Sequence, residues 1–318
     1  MNTNEPVRTE PVRLPSPTLP PSLQCRRANP GETMHWTDRR ERYRETIATG
    51  ACVHPASVHD AISARIAEDL CFDIGMFAGS IASFTVLGAP DLIVLTLTEF
   101  AAQAYRINRA GTLPLMVDAD HGYGNALNVM RSVQELETAG VAALMIEDTL
   151  LPRAFGETRP GLISLEEGAG KMRAALAARE DPALFIIGRT SAPSIAGLAD
   201  GIRRLKAYEQ SGVDALFIAG GLTRPDLDAI AAEVSIPLML GGVPADLQDR
   251  EYLASRGVRV ALQGHQPFAA AVKATYDTLK ALRDGVKPSD LTGIASPELM
   301  ARVTRDGDYK TWTEKFLN

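Results

Sequence analysis

The sequence predicts an α/β protein in which eight strands close into a (β/α)₈ TIM barrel, followed by a C-terminal helical extension. From about residue 46 onward, short apolar runs alternate with amphipathic stretches, which is typical of a parallel sheet covered by helices. Eight such units span roughly 240 residues, the usual size of a closed barrel. The alternative, an open doubly wound sheet, is disfavoured because no G-x-G-x-x-G motif follows the first apolar run.

The strands and helices follow from the period of the apolar residues. Gly140, Gly212 and Gly257 stand just before three apolar runs, where helices commonly end in glycine. The predicted strands are residues 51–54, 74–77, 115–117, 143–146, 184–187, 215–218, 237–240 and 258–262. The clearest predicted helices are residues 97–109, 126–139, 165–179 and 195–211.

The chain divides into three predicted segments. Residues 1–33 carry seven of the 20 prolines and no apolar core typical of a signal peptide, so we expect a disordered arm. Residues 34–283 are predicted to form the catalytic barrel. Residues 284–318, in which 296–317 are apolar at helical spacing, are predicted to form a helical extension that packs on the barrel or on a partner subunit.

Charge and composition disfavour several classes of partner. The net charge is −6 and no large cluster of lysine and arginine occurs, so we expect no nucleic-acid partner. No run of 18 apolar residues is present, so we expect no membrane span. The cysteines Cys25, Cys52 and Cys71 are odd in number and lack metal-ligand spacing, which predicts a reduced, cytoplasmic protein.

Polar residues gather where the predicted strands end, which is where barrels place their chemistry. Neighbouring strand residues face opposite ways, so only one of Glu147 and Asp148 can face the mouth, and Asp148 is assigned to the following turn. His265 either takes part in catalysis or only caps the helix that it opens. The candidates for the mouth are Gly79, Ser80, Asp91, Asp118, Asp120, Glu147, Arg189 and His265.

Four acids at one mouth, Asp91, Asp118, Asp120 and Glu147, would repel one another without a cation. Oxygen ligands together with water favour Mg²⁺, with Mn²⁺ also possible. Arg189 can form paired hydrogen bonds with a carboxylate. The sequence therefore predicts a metal and a guanidinium that bind one small 2-keto dicarboxylate.

Four motifs resemble the isocitrate lyase/phosphoenolpyruvate mutase superfamily. They are GSIAS at 79–83, DADHGYG at 118–124, IED at 146–148 and IIGRT at 186–190, and the resemblance runs from about residue 45 to the C-terminus. Within the superfamily, residues 129–152 and 257–277 look like the oxaloacetate decarboxylase branch.

The resemblance implies a role for each candidate residue. Asp118 would contact Mg²⁺ directly, and Asp91, Asp120 and Glu147 would hold metal-bound waters. Ser80 and the backbone of Gly79 would bind the substrate, Arg189 would bind a carboxylate, and His265 would lie over the reacting carbons. The resemblance also implies an exchanged C-terminal helix, and hence a homodimer or homotetramer.

One departure from the superfamily pattern limits the choice of reaction. Residues 149–164, after the fourth strand, contain no cysteine, lysine or histidine, whereas the lyases that cleave carbon–carbon bonds carry a cysteine there. We therefore expect Mg²⁺-dependent decarboxylation of oxaloacetate, or of a close 3-carboxy-2-keto acid, to pyruvate and CO₂ through a metal-stabilised enolate. The alternatives are a lyase or hydrolase for a substituted malate or related acid, and a non-catalytic barrel that binds a keto acid.

Overall fold

The computed structural model describes residues 34–318, so the predicted disordered arm, residues 1–33, lies outside the described residues. Eight parallel strands follow one another around the sheet in chain order, and each pairs with the next. The strands are β1 (Ala56–Ser57), β2 (Gly75–Phe77), β3 (Leu115–Asp118), β4 (Ala143–Glu147), β5 (Phe185–Thr190), β6 (Ala215–Ala219), β7 (Leu238–Gly241) and β8 (Val258–Ala261).

A single bridge joins the two ends of the sheet. The Val53 N–H donates to the carbonyl of Arg259 at 2.9 Å, and the Ala261 N–H donates to the carbonyl of Val53 at 3.0 Å. This pairing connects the segment before β1 to β8, so the predicted (β/α)₈ barrel is confirmed. The predicted first strand at residues 51–54 is wrong in position, because that segment contributes only this bridge and β1 begins at Ala56.

Helices cover the outside of the barrel, and the apolar faces of most of them close its core. A π-helical turn (Ser83–Leu87) and two 3₁₀ turns (Ala245–Leu247 and Pro288–Asp290) complete the described elements. The helices are α1 (Trp36–Ala48), α2 (Ala61–Asp69), α3 (Gly79–Ala82), α4 (Leu97–Asn108), α5 (Ala126–Thr138), α6 (Leu165–Ala178), α7 (Ala192–Ile195), α8 (Leu198–Ser211), α9 (Arg224–Ala231), α10 (Arg250–Ser255), α11 (Gln266–Arg283), α12 (Pro297–Thr304) and α13 (Asp306–Phe316).

The helix α1 closes the amino-terminal end of the barrel. Arg40 donates to the carbonyl of Glu137, in the last turn of α5, at 2.6 Å and to that of Val141, just before β4, at 3.0 Å. The fully buried Tyr43 places its hydroxyl 3.1 Å from the sulfur of Met116 inside the barrel. Because α1 blocks this end, a ligand must enter from the opposite, carboxyl end of the strands.

The end of the chain packs on α2. Val303 of α12 is buried, and Arg65 of α2 donates to its carbonyl at 3.3 Å. Arg305, just after α12, donates to the carboxylate of Asp69 at 2.9 Å. Among residues 34–318, no helix is long and apolar enough to cross a membrane. The cytoplasmic location stays a prediction.

Candidate active site

Three neighbouring strands bring the central charged residues together at the carboxyl end of the barrel. Glu147 of β4 and Arg189 of β5 are register partners, so their side chains lie side by side on the same face. Arg189 donates through Nη1 to the carboxylate of Asp118 at the end of β3, and its Nη2 lies 3.2 Å from the carboxylate of Glu147. Arg189 thus bridges two of the predicted acids.

Asp120 reaches the same place by a turn and not by strand alternation. The strand β3 ends at Asp118, and Asp120 takes a left-handed conformation with φ of 48°. Its N–H lies 3.3 Å from Oδ1 of Asp118, and its carbonyl accepts from the Glu147 N–H at 2.8 Å. Asp118 therefore enters the cluster from the end of the strand, and Asp120 enters it from the turn that follows.

The carboxylate of Asp120 lies directly against the backbone of Gly79. A Cβ atom on Gly79 would stand only 2.6 Å from Oδ1 of Asp120, which is too close for a side chain. Glycine is therefore required here because the acid approaches the start of α3 at contact distance. Ser80 follows in α3, half-buried, beside this contact.

The acids outnumber the cations at this mouth, and the pKa values of three of the acids are raised. Burial, and then the charges of Asp118, Asp91 and Glu147, raise the pKa of Asp120 well above its ordinary value. Burial also raises the pKa of Glu147, against the opposing effect of Arg189. The pKa of Asp91 is raised by partial desolvation and then by Asp118, which places this otherwise exposed residue within electrostatic range of the cluster. The site therefore favours binding of a further cation.

We expect Asp120→Asn to stabilise the metal-free protein at neutral pH. When the pKa of an acid is raised in the folded state, the protein loses stability as the pH rises above the pKa of that acid in the unfolded chain, about 4. The reason is that the charged carboxylate is less favourable in the folded protein than in the unfolded one. Asparagine carries no such charge and tolerates the left-handed backbone. Thermal denaturation with a chelator should show a higher Tm for the variant, about 2–4 °C per kcal/mol gained. A lower Tm for the variant at pH 7 would contradict the repulsion between Asp120 and the neighbouring acids. At about pH 4 the Tm values of the two proteins should converge.

The neighbour of Arg189 on the next strand was not predicted. Phe217 of β6 is the register partner of Arg189, and the guanidinium lies 5.8 Å from the centre of its ring. A Cβ on Gly241 of β7 would stand 2.7 Å from the same ring, so glycine makes room for it. Phe217 thus forms an apolar wall beside the guanidinium. Its apolar strand, read alone, gave no sign of this role.

Asp148 faces away from the mouth, as predicted from strand alternation. Its side chain is fully buried between the sheet and α8, and Oδ2 accepts from the hydroxyls of Thr190 at 2.9 Å and Tyr208 at 2.6 Å. Arg204 donates to the same oxygen at 3.1 Å. Asp148 and Thr190 directly follow Glu147 and Arg189, so this outer contact ties together the same two strand ends that carry the inner ion pair.

His265 is the residue before α11, but its side chain makes no capping hydrogen bond with that helix. Its Nδ1 lies 2.8 Å from the hydroxyl of Ser57 at the end of β1. Burial lowers the pKa of His265, and Asp118 acts in the opposite direction, so the ring lies within electrostatic range of the acids. The simple capping role considered for His265 is therefore not observed.

Two further polar residues of the DADHGYG motif pack beside the cluster. The buried hydroxyl of Tyr123 has no hydrogen-bond partner within residues 34–318, and burial and then Asp120 raise its pKa. Burial, and then Lys171, lower the pKa of His121 to about 4, so its ring is neutral at pH 7. Neither was among the predicted site residues.

A metal ion would need water or substrate to complete its ligands here. In the part of the chain that the structure describes, no group of three or more acidic, histidine or cysteine side chains is close enough to hold an ion by itself. The excess of carboxylates around Arg189 and the unpartnered hydroxyl of Tyr123 nevertheless fit an oxygen-liganded divalent ion. The direct and water-mediated ligand roles of the four acids stay predictions.

Comparison with known proteins shows which proteins the chain is similar to. An oxaloacetate decarboxylase of Rhodopseudomonas palustris (strain HaA2) is 60% identical over 272 residues, which cover 86% of this chain and 94% of the relative. One of Bradyrhizobium diazoefficiens is 58% identical over 277 residues, which cover 87% and 96%. A crystal structure of phosphonopyruvate hydrolase with oxalate and Mg²⁺ superposes with a TM-score of 0.76 at 26% identity and covers 88% of this chain and 99% of that one.

The sequence model of the phosphoenolpyruvate phosphomutase family matches residues 44–283. This match spans well over half of the 318 residues and contains every candidate site residue named above. It begins inside α1 and ends with α11, so it covers the complete barrel. The chain belongs to the phosphoenolpyruvate phosphomutase family.

Proposed function

We propose that this protein is an oxaloacetate decarboxylase, a carboxy-lyase that converts oxaloacetate to pyruvate and CO₂. The observation that carries the proposal is the pairing of Arg189 with Asp118 and Glu147 at the open end of the barrel. It places a carboxylate-binding guanidinium beside an acidic cluster suited to a divalent cation. The high identity to oxaloacetate decarboxylases over nearly their whole length supports the same reaction.

The predicted cofactor is Mg²⁺, with Mn²⁺ as a substitute, held by Asp118 directly and by Asp91, Asp120 and Glu147 through water. When bound, the ion would withdraw electrons from the keto group, which lowers the barrier to loss of CO₂. The acid-rich environment of Asp120 and the presence of Mg²⁺ with oxalate in phosphonopyruvate hydrolase support this choice.

The protein's own side chains would bind and orient the substrate. Arg189 is held between two carboxylates, and a cation at the acids would weaken their hold and leave the guanidinium free to bind a substrate carboxylate. Ser80 and the backbone N–H of Gly79 would bind the substrate at the start of α3. His265 would donate a hydrogen bond to the leaving carboxylate or assist protonation of the enolate.

Carbon–carbon cleavage of a substituted malate is the weaker proposal. The segment between β4 and α6 is where the superfamily lyases carry their proton-transferring cysteine, and residues 149–164 contain none. Decarboxylation requires no such group, since electrostatic stabilisation of the developing charge is sufficient. The side chains at this mouth therefore match decarboxylation better.

The experiment is incubation of the full chain with Mg²⁺ and a panel of 2-keto acids and substituted malates, with products identified by NMR. We expect oxaloacetate to give pyruvate and CO₂ faster than a control that contains Mg²⁺ without protein. Two organic fragments from any substrate would indicate a lyase or hydrolase and contradict the proposal. Binding of oxaloacetate by calorimetry, without turnover above the control, would indicate a non-catalytic keto-acid-binding barrel.

The subunits are proposed to exchange α11 in a homodimer, which could pair further into a homotetramer. None of the 18 residues of α11 is buried, and Tyr276 and Leu279 are 65% and 63% exposed. A mostly apolar cavity of about 560 Å³, lined by Ile62 and Ile66 of α2, lies where a closing helix would pack. The α11 of a second copy would cover the exposed face of α11 and the cavity beside α2. Light scattering after size-exclusion chromatography would measure the mass of the dimer.

A further inference from the structure

The ring of His265 is held by a contact between the first and last strands, where the barrel closes. Ser57 is the last residue of β1, and His265 lies in the segment after β8. The bridge between Val53, in the segment before β1, and Val260 of β8 brings these two strand ends close together. The hydroxyl of Ser57 lies 2.8 Å from Nδ1 of His265, so closure of the barrel itself sets this contact.

We propose that Ser57 is a positioning residue that donates its hydroxyl hydrogen to Nδ1 of His265 and so keeps the ring proton on Nε2. The imidazole then presents an N–H donor to the bound substrate. The kinetic consequence of this arrangement rests on the proposed decarboxylation, whereas the location of the ring proton does not.

A serine hydroxyl can donate or accept, so the contact alone allows either tautomer. The surrounding charge favours one of the two tautomers, and the hydrogen bond from Ser57 then holds that form. Asp118 interacts electrostatically with the ring, and an acidic cluster attracts an N–H but repels a nitrogen lone pair. With Nδ1 bound to Ser57, Nε2 is the ring nitrogen left to carry that N–H. Burial lowers the pKa of His265, which favours the neutral ring in which the tautomer matters.

The same chain contains a histidine, His54, whose Nδ1 faces a hydrogen-bond acceptor and not a donor. Nδ1 of His54 lies 2.7 Å from the backbone carbonyl of Ala261, and a carbonyl can only accept a hydrogen bond. A neutral His54 must therefore carry its proton on Nδ1. It supplies an internal reference for the tautomer of His265 in any spectrum of the protein.

The test is solid-state ¹⁵N NMR of the full chain labelled in its histidines, with Mg²⁺ present, at about pH 9 where imidazoles are neutral. Loss of signals in His265→Asn and His54→Asn identifies the two rings. We expect the proton on Nε2 in His265 and on Nδ1 in His54. Ser57→Ala should give a mixture of tautomers at His265 alone, and Ser57→Thr, which keeps the hydroxyl, should restore the single form.

Decarboxylation by the same variants gives the kinetic readout. Loss of one positioning hydrogen bond should lower kcat about three- to tenfold in Ser57→Ala, with recovery in Ser57→Thr. An Nδ1 proton on His265 in the wild type, or an unchanged tautomer in Ser57→Ala, would overturn the proposal. A changed tautomer with wild-type kcat would overturn its role in the reaction. Absence of turnover in the wild type would refute the proposed function, while the NMR result would still decide the role of Ser57.

Discussion

Replacing Asp118 with alanine should abolish both decarboxylation and magnesium binding. Asp118 is the predicted direct ligand, and its carboxylate is also the acceptor of the ion pair that holds Arg189. Loss of the metal removes several kcal/mol of transition-state stabilisation, so the rate should fall about a thousandfold or more. Pyruvate formation measures the first effect, and calorimetric titration with Mg²⁺ measures the second.

A matched control separates this effect from the loss of any charged pair. Asp228 of α9 also pairs with an arginine, since its carboxylate lies 2.6 Å from Nε of Arg256, but this pair is exposed on the outside of the barrel. Asp228→Ala should keep wild-type turnover and magnesium affinity. Wild-type turnover in Asp118→Ala would show that the acidic cluster does not carry the reaction.

Replacing Asp148 with alanine should cause the largest loss of stability. One fully buried carboxylate accepts hydrogen bonds from Thr190, Arg204 and Tyr208. Its removal leaves the buried guanidinium of Arg204 with Asp200 as its remaining carboxylate partner, and it leaves two hydroxyls without this acceptor. Losing one partner of a buried pair typically costs about 3–5 kcal/mol. Thermal denaturation should therefore show a Tm lower by roughly 10 °C.

Two milder variants define the source of that loss. Tyr208→Phe removes one of the three donors and should cost about 1 kcal/mol. Glu233→Ala breaks an exposed pair with Lys206, at 2.6 Å, and should stay within about 1 kcal/mol of the wild type. If the Tm of Asp148→Ala equals that of Glu233→Ala, the buried network does not stabilise the ends of β4 and β5.

Apolar periodicity predicted the bounds of a helix well where a cap also fixes the start of that helix in the structure. The helix α4 begins after Thr96, whose hydroxyl and the carboxylate of Glu99 form a reciprocal cap, and the predicted range differs by one residue. The predicted helix 195–211 is wrong at its start, because Gly197 adopts φ of 92° and separates α7 from α8. A periodic pattern alone does not show such a break.

Contacts that depend on distant parts of the chain could not be predicted in the same way. The helix α1 has few apolar residues, and arginine hydrogen bonds to carbonyls at the end of α5 and just before β4 fix it across the barrel. The bridge at Val53 forms only once β8 is in place. Phe217 and Ser57 acquire their roles from side chains on other strands, namely Arg189 and His265.

The sequence by itself determined the eight-fold alternation, the chemistry of the strand-end residues and the outward direction of Asp148, because apolar periodicity and side-chain alternation are local properties. Only the tertiary structure decided that Arg189 lies between Asp118 and Glu147, that Asp120 rests on Gly79 and that Ser57 meets His265. Each of these contacts joins residues from different strand ends. Their distances are set by strand register and barrel closure, which no single segment encodes.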